Sequence, residues 1–99
     1  MTIYQHRASI TASSGSTSSQ TLNVRGGLCR QVLIRANTST TVFQANITDA
    51  NDLVVLNYPY AETEINDWDI ALPMAGRYTI NITNASPDDT FQVLIAVQE

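Results

Sequence analysis

Leu72-Pro73-Met74-Ala75-Gly76-Arg77-Tyr78-Thr79-Ile80-Asn81-Ile82-Thr83-Asn84 decides the fold class of this chain. From Tyr78 onward apolar and polar residues alternate strictly. Tyr78, Ile80 and Ile82 share one face and Thr79, Asn81 and Thr83 the other, which is the period of a β-strand with one buried side. Pro73 and Gly76 ahead of it read as a turn that launches the strand, glycine supplying the open backbone geometry of the corner. A strand that buries every second side chain needs an opposing apolar layer, and the rest of the chain must supply it.

Downstream, residues 84–89 with Pro87 turn the chain back. Residues 90–97 then point Phe91, Val93, Ile95 and Val97 one way, while Leu94 and Ala96 leave the other face partly apolar. Just upstream, Trp68, Ile70 and Leu72 alternate with Asp67, Asp69 and Ala71, a strand that would bury Trp68 and lead into the quoted stretch. Residues 42–48 set Phe43, Ala45 and Ile47 against Gln44, Asn46 and Thr48. After the tight turn Asp49-Ala50-Asn51-Asp52, Leu53-Val54-Val55-Leu56 is apolar on both faces, as expected of a strand central in the packing or covered by another chain. Residues 57–66, containing Pro59, read as a long connection crossing from one sheet to the other.

Residues 28–36 bury Val32, Ile34 and Ala36, with Arg30 interrupting the set and a turn at 37–40 closing it. Gly26-Gly27 reads as the turn into that strand from a short one at 21–24, where Leu22 and Val24 point inward. At the amino end Tyr4, His6, Ala8 and Ile10 share one face of an extended stretch. Residues 11–20 are Ser/Thr-rich with almost nothing to bury, so they are expected to be a mobile tether. The expected organisation is therefore an amino-terminal strand or arm with its tether, residues 1–20, and a body, residues 21–99; the equal alternative is that residues 3–10 are an edge strand of the chain's own sandwich. About eight short strands with regular turn signals and no helical period fit an all-β, antiparallel two-sheet β-sandwich of jelly-roll or Greek-key type, with a closed barrel as the competitor.

The 99 residues make one body with a modest core. A net charge of −4 with only five scattered Lys and Arg argues against a nucleic-acid partner. The amino end has no apolar run long enough for a signal peptide or membrane span, so no membrane partner is expected and synthesis is expected in the cytoplasm of a host cell. Cys29, the only cysteine, follows the Gly-Gly pair inside an apolar strand and reads as a small buried thiol. Asn-x-Ser/Thr triplets at Asn37, Asn46, Asn81 and Asn84 follow from Asn- and Thr-rich strands rather than from glycosylation.

Chemistry is sparse. His6 is the only histidine, so neither an imidazole metal site nor a serine nucleophile finds its usual partner. Carboxylates cluster at Asp49/Asp52, Glu62/Glu64, Asp67/Asp69 and Asp88/Asp89, but none has the spacing of a calcium loop, and a glycosidase pair would need a larger cleft. The reading is therefore no enzyme, no cofactor and no metal. Tyr58 and Tyr60, flanking Pro59, remain as aromatics for an exposed contact with sugar or protein.

From Val32 to Val97 the chain resembles the pre-peptidase C-terminal type of β-sandwich. The resemblance rests on the Ile47-Thr48-Asp49 corner, Leu53-Val54-Val55, Leu72-Pro73, Gly76-Arg77-Tyr78-Thr79-Ile80 and a final strand with Phe91. It implies a non-catalytic module of the kind appended to secreted enzymes. In size, architecture and its Ser/Thr-rich amino-terminal segment the chain also resembles the small decoration, or cement, proteins of tailed bacteriophage capsids. That resemblance implies a virion structural protein on the capsid surface, bound to the major capsid protein, stabilising the shell and forming a homo-oligomer, a trimer or dimer. The alternative is a small carbohydrate- or protein-binding module, such as a host-recognition fibre. Residues expected to make protein contacts are Ile3, Tyr4, His6 and Ile10 on the arm, Tyr58 and Tyr60 in the connection, and Leu94 on the last strand.

Overall fold

The computed structural model describes every residue except Met1, Ser14 and Asp69. It is all-β, with seven antiparallel strands among the described residues: β1 (Ile3–Ala12), β2 (Thr17–Ala36), β3 (Val42–Thr48), β4 (Val54–Glu62), β5 (Glu64–Asp67), β6 (Leu72–Ser86) and β7 (Asp89–Gln98). They form one hydrogen-bonded sheet in the order β1-β7-β2-β6-β3-β4, with β5 pairing β2 off that path.

The quoted stretch is the body of β6, where Tyr78, Ile80 and Ile82 are buried as the alternation requires. It lies between β2 and β3 and presents its apolar face to Phe43, Ile47, Val32, Ile34, Phe91, Val93 and Ile95 in one core. The sheet is not flat. From β7 to β3 are three strand steps, about 14 Å along a flat sheet, yet the rings of Phe91 on β7 and Phe43 on β3 meet edge to face with centroids 4.7 Å apart. The sheet therefore curls until its two ends enclose the apolar face between them.

β2 makes the curl possible. Its first half pairs with β6, from Thr17 opposite Thr83 to Cys29 opposite Leu72, and its second half pairs with β7, from Leu28 opposite Gln98 to Ala36 opposite Phe91. Where the pairing changes partner the strand carries two extra residues, one between Val24 and Gly27 against β6 and one, Arg30, between Cys29 and Gln31 against β7. Such bulges bend a strand and sharpen its twist. Gly26 and Gly27, expected to be a turn, thus lie inside a 20-residue strand. A Cβ on Gly27 would sit 2.8 Å from Val97 Cγ1 and against the Gln98 backbone, so the bend needs a residue with no side chain.

At the amino end the edge-strand alternative holds for residues 3–10 and the arm does not, while the tether differs from expectation. β1 pairs along its full length with β7, Ile3 opposite Gln98 through Ala12 opposite Asp89, and buries Ile10 and Ala12 in the common core. Thr17 to Gln20 pair with Thr83 to Ile80 of β6. Of the expected tether at 11–20, Thr11 and Ala12 are thus strand in β1 and residues 17–20 strand in β2, while Ser14 lies outside the described residues. What low apolar content failed to show is a ladder of side-chain hydrogen bonds: Thr17 with Thr83 (3.2 Å), Ser19 to Asn81 (2.6 Å) and Thr21 with Thr79 (3.5 Å). Cross-strand hydroxyl pairs stabilise a sheet whose outer face is wet.

Three further expectations change. Residues 57–66 are not a connection: β4 runs through Pro59 to Glu62, and β5 follows after Thr63, which takes φ 68°. Proline is tolerated there because β4 is an edge strand. For the same reason residues 53–56 are not central in the packing. Trp68 is 72 % exposed in a non-strand link, and Asp69, part of the expected alternation, lies outside the described residues. Pro73 and Gly76 sit within β6, where the Ala75 N–H donates to the Tyr78 hydroxyl (3.1 Å) across Gly76 at φ 94°.

One end of the curl is tied by Asp89. Its Oδ2 accepts from the buried Thr41 hydroxyl (2.7 Å) and from Thr38 N–H (2.8 Å), and its Oδ1 accepts from Thr90 N–H (2.8 Å). Burial alone would raise this carboxyl, but the hydrogen bonds outweigh it and hold its pKa below the ordinary aspartate value. Thr63 completes the tie, its N–H donating to Thr41 O and its carbonyl accepting from Ala36 N–H, each at 2.7 Å.

Candidate functional site

β4 ends the sheet and pairs only with β3, so the outer row of its backbone N–H and C=O groups has no strand partner among the described residues. Beside that open row Leu53, Val54 and Tyr60 are 63, 56 and 68 % exposed. Leu56 and Tyr58 face inward and pack against the core. The strand begins at a tight turn in which Asp49 Oδ1 accepts from Asn51 N–H (2.8 Å) and Leu53 N–H (3.0 Å), with Asp52 at φ 62°. This Asx-type turn fixes where Leu53 and Val54 emerge.

The face adjoining this edge is shaped by two bulges around β3. Phe43 pairs with Ala61 but Ala45 with Tyr58, so Pro59 and Tyr60 together oppose Gln44. On the other side Val42 pairs with Ser86 but Gln44 with Thr83, so Asn84, at φ 57°, and Ala85 together oppose Phe43. Both neighbours of β3 therefore bend at the same level. The result is a depression of about 250 Å³ lined by Gln44, Ala45, Asn46, Asn57, Pro59 and Thr83. Two of the lining amides are held by their neighbours, Asn84 Nδ2 donating to Gln44 Oε1 (2.9 Å) and Asn81 Nδ2 to Asn46 Oδ1 (2.8 Å). Three of the four Asn-x-Ser/Thr asparagines thus serve in cross-strand bonding.

The expected contact residues divide. Ile3 is exposed, as is Tyr60, but they lie on opposite edges of the sheet path. Tyr4 lies under the Arg25 guanidinium, 4.1 Å from its ring centroid. His6 Nε2 accepts from Arg25 N–H (3.2 Å), and Arg25 also pairs with Glu99 (3.1 Å). Tyr4 and His6 are therefore engaged within the chain. Ile10 is core, 3 % exposed, and cannot meet a partner. Leu94, 7 % exposed, is also covered: it lies on the outer face of β7, between Arg7 of β1 and Leu33 of β2 in register. The Tyr58 hydroxyl donates to Asp67 Oδ2 (2.8 Å), and burial together with that carboxylate raises its pKa.

Cys29 is fully buried, and burial raises its thiol pKa, so it has the character of a small core residue. Among the described residues no group of three or more His, Cys, Asp or Glu is placed to hold a metal ion. No helix is long and apolar enough to cross a membrane. Gln44, Asn46 and Thr83 read from sequence only as polar outward positions, and Asn57 as part of a connection, none of them as a contact residue. Their signal was the uncharged polar run at the outward positions Gln44/Asn46/Thr48 and Thr79/Asn81/Thr83.

No protein-family model matches the sequence. No curated protein matches it. Solved structures do. FlhE superposes with a TM-score of 0.56 at 12 % identity, covering 99 % of this chain and 97 % of that one. PliG of Aeromonas hydrophila, a periplasmic inhibitor of g-type lysozyme, superposes with a TM-score of 0.52 at 15 % identity, covering 95 % of this chain and 85 % of that one. At these identities the likeness is one of fold, and it extends over essentially the whole chain.

Proposed function

We propose that this chain is a non-catalytic docking protein that binds another protein through the open edge of β4. The observation that carries this reading is the coincidence on one edge of an unpaired backbone row with exposed Leu53, Val54 and Tyr60. Edge strands bind through main-chain hydrogen bonds, and flanking apolar side chains add area and specificity. Isolated surface leucines mean little, but apolar residues clustered on an unprotected edge mark an interaction site. That the fold also serves PliG, an inhibitor and so a protein that works by binding another, favours docking over catalysis.

The partner we propose is the major capsid protein of a tailed bacteriophage, with this chain decorating the shell from outside as a dimer or trimer. In this reading the curled sheet is a two-layer sandwich of jelly-roll or Greek-key type, and the Phe43 and Phe91 rings are its inter-layer contact. The test is co-sedimentation of purified protein with decoration-free particles, in parallel with an inhibition assay on a g-type lysozyme. Stoichiometric binding lost in Val54→Lys supports the reading. Lysozyme inhibition lost in the same variant would keep the docking edge and replace the capsid. Binding unaffected by Val54→Lys would remove the edge.

A further inference from the structure

We propose that the depression between the β4 and β6 bulges binds one ring of a neutral saccharide, with Gln44, Asn46, Asn57 and Thr83 as its hydrogen-bonding groups and Pro59 as its apolar wall. This goes beyond edge docking, since it uses the outer face of the sheet and a different ligand.

The lining selects the ligand by chemistry. Four of its six residues, Gln44, Asn46, Asn57 and Thr83, are polar and none is charged. A phosphate, sulfate or ammonium group would find no counter-charge there. An apolar ligand would strand the amides without partners. A peptide strand would look for the backbone row, which runs along the edge and not across this face. A sugar hydroxyl both donates and accepts, and so do carboxamides and the threonine hydroxyl, so the two sets complement each other without ionisation. Pro59 adds C–H surface for the apolar side of the ring, as ligand sites combine a few placed polar groups with apolar walls.

Three of the four polar groups are also held in place before any ligand arrives, Thr83 by its hydroxyl pair with Thr17 (3.2 Å). Asn81 takes a hydrogen bond from Ser19 (2.6 Å) and gives one to Asn46 Oδ1 (2.8 Å), a relay across β2, β6 and β3 that leaves Asn46 Nδ2 unpaired among the described residues. Asn84 occupies Gln44 Oε1 in the same way and leaves Gln44 Nε2 free to donate. The Asn57 carboxamide makes no hydrogen bond among the described residues. Oriented donors lose little freedom on binding, which is what a weak, shallow site requires. The volume, about 250 Å³, falls below the roughly 300–1,000 Å³ of sites for larger organic ligands and suits a single ring at a chain end or branch.

The intact chain is screened on an array of neutral glycans. It is then titrated by amide-resolved NMR with maltotriose, cellotriose and the trimer of N-acetylglucosamine at millimolar concentrations, with a sulfated disaccharide as the charged control. Saturable shifts confined to residues 44–46, 57–59 and 83–84 are expected with at least one neutral probe. Asn57→Ala and Gln44→Ala, both at exposed positions, should each weaken binding about tenfold, the value of one well-placed hydrogen bond; Asn57→Ala should also leave the melting temperature unchanged, whereas Gln44→Ala additionally removes the bond from Asn84. Val54→Lys should abolish protein docking and spare the sugar shifts, and Asn57→Ala should do the reverse, so the two readings fail separately. No array signal together with no saturable shift, shifts that map elsewhere, or a stronger response to the sulfated sugar would each overturn the proposal.

Discussion

Thr41 and Asp89 show how one buried hydroxyl can serve the whole end of the molecule. Thr41 is fully buried and its only side-chain donor is spent on a carboxylate that also gathers two backbone N–H groups. Thr41→Val keeps the volume and removes the donor, so it should destabilise the fold by about 1.5–3 kcal/mol, the range for a hydrogen bond to a charged group. The pH dependence follows from the lowered Asp89 pKa. A carboxyl depressed in the folded state binds fewer protons there than in the unfolded chain, so its contribution is complete above the unfolded value, about 3.9, and is lost as pH falls through the folded value. Urea unfolding from neutral pH down through that window should show an acid loss of stability that is smaller in Thr41→Val than in the parent chain.

At the scale of elements, the two extra residues of β2 decide the architecture, and glycines test it. Gly27→Ala drives a methyl group into Val97 and the β7 backbone and should destabilise by roughly 2–3 kcal/mol, as overpacking does. Gly76 has open space around its Cβ position but φ 94°, so Gly76→Ala carries only the conformational penalty, about 1 kcal/mol. Denaturant midpoints that rank the two variants in the opposite order would refute the account of the bend. β1 supplies the second test. It pairs all along β7 and contributes Ile10 and Ala12 to the core, so deleting residues 1–12 should leave a chain without a cooperative thermal transition. A truncated chain that melts like the parent would show that β1 is an arm after all.

For the molecule as a whole, the β4 edge pairs with one strand at a time, so in the free protein it is open to a second copy, which a docked protein would displace. The apolar outer face once offered by Leu94 and Ala96 is closed within the chain, which leaves Leu53, Val54 and the unpaired β4 backbone as the surface for a second copy. A copy pairing β4 with β4 would form a closed two-fold dimer and join the two sheets edge to edge. Sedimentation at micromolar concentration should show the dimer, and Leu53→Lys with Val54→Lys should return it to monomer. A parent chain that sediments only as monomer would leave the edge to a different partner.

Strand identity was legible in the sequence wherever burial was the organising force. Tyr78/Ile80/Ile82, Phe43/Ala45/Ile47 and Phe91/Val93/Ile95/Val97 alternate because each second side chain must leave water, and all are buried. Cys29 and the inward set Val32, Ile34 and Ala36 were readable for the same reason. Segments held by polar pairing were not. Residues 17–20 carry no apolar period and are strand only because Thr83 and Asn81 stand opposite, a partnership made across more than 60 positions of sequence. Nor could local pattern tell a glycine turn from a glycine bulge. Gly26-Gly27 offers the same backbone freedom for either, and the choice falls to the bulge because the end of β7 lies against it. The depression on the outer face is likewise a product of tertiary structure. It depends on two bulges, on β4 and β6, coming level beside β3, and register between strands is set by what they pair with, not by what they contain.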